Sequence, residues 1–138
     1  MMEGRWMGID YGSVRVGIAL SDLLGITAQG YGVLSCQEQN IVEEIKKIIV
    51  KEDVIKIVLG FPKNMNGTIG PKGEEVLRFK EALEKDVSIP VELHDERLST
   101  KMAERSLIEG HMRRDKRKQV VDKIAAQLIL QGYMEMHR

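Results

Sequence analysis

The chain has little of what marks the specialised protein classes. Its single cysteine, Cys36, excludes an internal disulfide and makes a reducing cytoplasm the expected setting. With three scattered histidines, that cysteine makes no zinc site. Aromatic residues are only 4% of the 138, so base stacking is not expected to dominate any nucleic-acid recognition. No apolar run approaches the roughly 20 residues of a membrane span, and Met1-Met2-Glu3-Gly4-Arg5 leads straight into a strand pattern rather than a signal peptide. Charge of one sign is missing as well: 21 basic residues balance 21 acidic ones, so the chain is no polycation. There is no Gly-Lys-Ser/Thr phosphate loop, and no Pro- or Gly-rich linker divides the chain, which reads as one domain over residues 1–138.

What is present begins with an apolar run, Trp6, Met7 and Ile9, that ends in a carboxylate, Asp10. Gly12-Ser13 supplies a turn, and a second run with Val14, Val16, Ile18 and Leu20 starts at once, so the two read as a hairpin. Residues 29–35 supply a third strand. Ile41, Val42, Ile45, Ile48 and Ile49 then mark one face of an amphipathic helix. Residues 55–60 read as an apolar strand buried on both faces. Two prolines, two glycines and two asparagines make residues 61–71 a loop, and Pro71 suits the first turn of a helix with Val76, Phe79 and Leu83 inward. A last strand, residues 90–97, runs out into charge. Ser99 or Thr100 can cap a short helix closed by Gly110, and Val120, Val121, Ile124, Ala125, Leu128 and Ile129 mark a final helix. Three strands before the first helix exclude a simple doubly wound fold and leave an α/β mixed sheet with helices on both faces.

Three carboxylates stand where structure alone would not call for them: Asp10 at a strand end, Glu96 after the last strand, and Asp122 near the start of the final helix. If the first and last strands are neighbours running the same way, Asp10 and Glu96 share a sheet edge, and the small Ala125 and Ala126 let the helix bring Asp122 to it. Such a cluster repels itself unless cations neutralise it, and an all-oxygen set suits Mg²⁺ or Mn²⁺. The same residues also fit plainer roles: a turn former, a partner for Arg97, and a first-turn acid favoured by the helix dipole. Gly12 and Ser13 can offer N–H groups to a phosphate or simply turn a hairpin. Lys63 and Asn64 can hold phosphate or belong to an irregular connection. Arg113, Arg114, Lys116, Arg117 and Lys118, five basic residues in six positions, can meet nucleic acid or form a solvated helix approach.

Taken together, these segments resemble the YqgF/RuvX family, RNase H-like proteins described as pre-16S rRNA nucleases and as relatives of Holliday junction resolvases. The resemblance rests on Gly8-Ile9-Asp10-Tyr11-Gly12 with Arg15-Val16-Gly17-Ile18-Ala19; on Gly60-Phe61-Pro62, Asn64-Met65 and Gly70-Pro71; on Asp95-Glu96-Arg97-Leu98-Ser99-Thr100; and on Asp122-Lys123-Ile124-Ala125-Ala126. It implies an RNase H-like, five-stranded mixed sheet whose first three strands are antiparallel. It implies further that Asp10, Glu96 and Asp122 are the catalytic and metal-binding acids, holding two Mg²⁺ or Mn²⁺ ions. Arg15, Lys63, Arg97 and the 113–118 run would then position phosphates. The expected substrate is structured nucleic acid, with RNA and the ends of precursor 16S rRNA ahead of branched DNA. Val14 departs from the family pattern where a lysine is common, and His94 where an aromatic often stands. Asp10-Tyr11-Gly12-Ser13 also looks like the phosphate-1 loop of the actin and sugar-kinase superfamily, but those enzymes close two domains over ATP and 138 residues supply one. A non-catalytic binding module is the third reading. The oligomeric expectation is a monomer or a homodimer, with the methionines near both ends (Met1, Met2, Met134, Met136) packing together or fraying.

Overall fold

The computed structural model describes residues 4–63, 66–95 and 114–137, with the side chains of 114–120 excepted. The strands are β1 (Arg5–Tyr11), β2 (Arg15–Ser21), β3 (Ala28–Ser35), β4 (Val54–Phe61) and β5 (Val91–Asp95), and the helices α1 (Ile41–Glu52), α2 (Pro71–Asp86) and α3 (Arg114–Met136). They form one sheet in the order β3-β2-β1-β4-β5. The first three strands are antiparallel, and β4 and β5 run parallel to β1. The α/β mixed sheet and its antiparallel start are as expected. One expectation is corrected: β5 is not the neighbour of β1, because β4 lies between them. All three strands run the same way, so their C-terminal ends still open onto one edge.

Local chemistry accounts for the element boundaries. The Asn40 side chain accepts a hydrogen bond from the Glu43 N–H and caps α1, and Asp53 ends that helix in the left-handed region at φ 53°, its N–H donating to Ile49 O. The chain turns at once into β4, and Asp53 O accepts from the Arg5 N–H at 2.8 Å, tying the start of β1 to the same corner. Pro71 opens α2, where its missing N–H costs nothing. Ile55 is 37% exposed, so the expectation of a strand buried on both faces holds only from Ile57 onward.

The two sheet faces are built differently. Met7, Ile9, Val16, Ile18, Leu20, Ile57 and Leu59 line one face and pack under Ile45 and Ile48 of α1 and Val76, Phe79 and Leu83 of α2. The other face is small: Gly8, Gly17, Ala19, Ala28 and Gly30 alternate with those large residues and admit α3 at close range. A Cβ on Gly8 would stand 2.7 Å from Leu130 Cβ and 2.8 Å from Ala126 O, and one on Gly30 would overlap the Lys123 stem. Ala126, Ile129, Leu130, Tyr133 and Met134 of α3 complete this second core. Met134 is therefore an internal core residue and supports no contact between copies, whereas Met136 is exposed.

The expected final helix starts earlier than its apolar pattern, at Arg114 instead of near Val120. Charged turns carry no apolar period, so nothing in the spacing marks them as helical. Asp122 is thus two turns inside α3 and not a first-turn acid. The helix expected after Ser99 lies outside the described residues.

Candidate active site

Asp10 is the penultimate residue of the central strand, on the glycine-rich face, and its partner across the antiparallel ladder is Gly17. Gly17 decides the site. A Cβ there would overlap the carbonyl oxygen of Asp122, so the absence of a side chain lets the backbone of α3 descend onto β2 beside Asp10. Asp122, 112 positions from Asp10 in the chain, is thereby brought onto Gly17, the cross-strand partner of Asp10. Ala125 and Ala126, both fully buried, keep the rest of that helix turn close, as expected of small residues.

Arg15, two residues before Gly17 and on the same face, closes the arrangement from the side. Its Nε donates to Asp122 Oδ2 at 2.6 Å, with the two side chains 31% and 20% exposed. Burial of that degree strengthens a charge-assisted hydrogen bond over its surface equivalent. The sequence pattern suggested Arg15 as a phosphate contact, whereas in the folded chain its first partner is a carboxylate.

The remaining expected residues separate into three groups. Gly12 and Ser13 form the β1–β2 connection: a Cβ on Gly12 would lie 2.6 Å from Arg15 O, and Gly12 O accepts the Cys36 thiol at 3.5 Å, so this is a hairpin turn with its backbone engaged. Lys63 follows the end of β4, the strand beside β1, and is exposed at the same edge with Nζ 5.9 Å from the Phe61 ring centroid. Glu96, Arg97, Arg113 and Asn64 lie outside the described residues. Arg114, Lys116, Arg117 and Lys118 fall in the first turns of α3, whose backbone runs antiparallel to β1. At about 1.5 Å per residue, Arg114 stands roughly 12 Å beyond Asp122 along the axis, past the C-terminal edge of the sheet. Among the described residues no three metal-capable side chains cluster.

Two features escape sequence reasoning. Lys123 follows Asp122 and lays its stem on Gly30, lining with Arg15, Ser35 and Gln39 a groove of about 560 Å³. At the far end of α3, Tyr133 is gripped from several sides: Lys56 Nζ donates to its hydroxyl at 3.1 Å, its hydroxyl donates to Glu92, Trp6 meets it edge-on, and His137 stacks on it at 3.9 Å. This clamp fixes the helix to β1, β4 and β5. His94, edge-on to the same ring, has its pKa lowered by burial, with Asp95 pushing it up and His137 pushing it down, and acts as a neutral packing residue.

With this geometry in place, comparison with known proteins is informative. The family model for RuvX, described as Holliday junction resolvase, matches residues 4–136. A candidate pre-16S rRNA nuclease of Clostridioides difficile is 51% identical over 136 residues, 98% of this chain and 96% of that protein. One of Oceanobacillus iheyensis is 49% identical over 132 residues, 94% of this chain and 96% of that protein. Among solved structures, Thermus thermophilus RuvC in complex with a Holliday junction superposes with TM-score 0.56 at 15% identity, covering 97% of this chain and 96% of that one. The yeast mitochondrial Holliday junction resolvase Ydc2 gives 0.52 at 15% identity, covering 96% and 78%. These two likenesses carry the fold, an RNase H-like sheet.

Proposed function

The chain belongs to the RuvX, Holliday junction resolvase, family, and from this we infer its work: it is a nuclease that cleaves phosphodiester bonds in structured nucleic acid, and its substrate is the end of precursor 16S rRNA. The observation that carries the reading is the descent of Asp122 onto Gly17, opposite Asp10. It supports a centre built from Asp10 and Asp122, with Glu96 as the third acid. The donor chemistry fits a hard divalent cation, Mg²⁺ or Mn²⁺, because both described carboxylates are oxygen donors and Asp122 already draws a positive partner to within 2.6 Å. Two bound ions would activate water and stabilise the leaving oxygen.

The protein's own share of the work is placement. Asp10 is anchored on the middle strand of five, between two fully formed ladders. Asp122 is anchored by a helix whose far end is clamped at Tyr133. Lys63, and beyond the edge the 114–118 run, supply cations for phosphates on either side of the cleaved bond. Among the described residues no aromatic side chain lines the groove beside Asp122, which favours backbone contacts over base stacking.

Asp10→Asn and Asp122→Asn each abolish cleavage of a precursor 16S rRNA substrate in Mn²⁺ while circular dichroism and Tm stay near wild type. Full activity in either variant removes that acid from the mechanism. Cleavage of a four-way DNA junction by the wild type in preference to the RNA would move the substrate to branched DNA.

A further inference from the structure

Arg15 faces two ways. Through Nε it holds Asp122 at 2.6 Å, and among the described residues this is the only hydrogen bond its guanidinium makes, leaving four further N–H donors on the two amino groups. The same side chain lines the groove of about 560 Å³ between the start of β2, the end of β3 and α3. Ser35 is its partner in the ladder and stands on the same sheet face. Lys123 supplies a second cation to that groove and has no ion-pair partner among the described residues. Among the described residues Glu38 is the one acid lining the groove, and Gln39 turns inward to accept the Ser35 N–H at 2.8 Å.

We propose that Arg15 is an exchangeable counter-ion: it neutralises Asp122 while the centre lacks metal, and it passes to a substrate phosphate lodged in the adjoining groove, beside Lys123, when a divalent cation takes Asp122. The inference rests on the metal-dependent nuclease reading above. Its physical basis is competition for one carboxylate. A divalent cation at Asp122 both removes the acceptor of Arg15 and repels the guanidinium, so the arginine opposes metal binding in the free protein. A phosphodiester in the groove offers a replacement anion within reach of a side chain already facing it. Arg15 thereby couples occupancy of the metal site to occupancy of the groove, and each favours the other. The groove then carries the strand flanking the cleaved bond, read through its phosphates.

The test uses variants whose effects on metal and on RNA have opposite signs. Arg15→Gln is expected to bind Mn²⁺ roughly fivefold or more tightly in the absence of RNA, measured by calorimetry on the full chain. With Mn²⁺ saturating, and an uncleavable RNA hairpin with a single-stranded flank as the probe, the same variant binds the RNA more weakly, and its log K against log salt slope falls by about one. Lys123→Gln weakens RNA binding in the same way and leaves Mn²⁺ affinity unchanged. Tm of both variants establishes that they are folded. Mn²⁺ affinity unchanged or weakened in Arg15→Gln overturns the exchange, leaving Arg15 as a residue that merely orients Asp122. Unchanged RNA affinity and slope in both variants overturns the groove as a phosphate track. Either result leaves the nuclease reading standing, provided the wild type binds Mn²⁺ and cleaves; a wild type that binds no Mn²⁺ removes both together.

Discussion

At the scale of single residues, Asp22 shows how a side chain can hold a connection without being buried. It follows β2, and its Oδ1 accepts from the N–H groups of Ile26 at 2.8 Å and Thr27 at 3.3 Å, while its carbonyl accepts from Gly25, which turns at φ 71°. Desolvation pushes this carboxyl up, but the converging N–H donors of Ile26, Thr27 and Gly25 outweigh it and leave the pKa below the ordinary value. The sign follows from linkage: a carboxyl lowered in the folded state stabilises the fold above its unfolded pKa, and the benefit disappears as pH falls through the folded one. Asp22→Ala therefore lowers Tm at neutral pH, and the gap to wild type narrows below about pH 4. A gap constant from pH 7 to pH 3 would show that the charge contributes nothing. The alternation of β2 gives Asp22 no role of its own. By contrast, Asp10 was readable as a candidate site residue, because a carboxylate closing an apolar strand conflicts with its own surroundings. Gly17 was not, since a strand glycine fits a bulge, a bend or a close approach equally well.

At the scale of elements, the docking of α3 on the glycine face is what brings Asp122 to the candidate site. Most of it was foreseeable: Ala125 and Ala126 announced a close approach, and the period of Val121, Ile124, Leu128 and Ile129 announced a helix. The partner surface was hidden, because Gly8, Gly17 and Gly30 become a patch only once the register of three strands is set. The start of α3 was hidden too, because residues 114–118 carry charge and no apolar period. Gly17→Ala places a methyl against backbone, which cannot rotate away. It is expected to cost about 1–3 kcal/mol in urea unfolding, as overpacking does, and to lower cleavage beyond what the lost stability explains by displacing Asp122. Gly32→Ala, with nothing within 4 Å of its would-be Cβ, is the matched control and leaves stability nearly unchanged. Equal stability of the two variants would mean that α3 does not need the gap at Gly17.

For the whole molecule, zero net charge and a nucleic-acid substrate are reconciled by distribution. The acids of α1 lie near lysines of the same helix, Lys46 with Glu43 and Lys47 with Glu44, and so leave little field beyond themselves. The cations that the fold gathers are local: Arg15 and Lys123 along the groove, Lys63 at the edge, and the 114–118 run on the turns of α3 that extend past it. Attraction for phosphate should therefore be short-ranged and directional, in contrast to the diffuse adhesion of a polycation. Exchanging Lys116, Arg117 and Lys118 together for glutamate raises net negative charge by six and reverses the sign of the first turns of α3. If the overhang seats substrate, kcat/KM for precursor RNA collapses through KM, the effect is the same for unrelated RNA sequences, and Mn²⁺ affinity and Tm barely move. A variant that keeps its KM but loses kcat would place the run at the chemistry itself. One that keeps both would show the run to be a solvated helix start, and substrate would then depend on the groove side of the sheet alone.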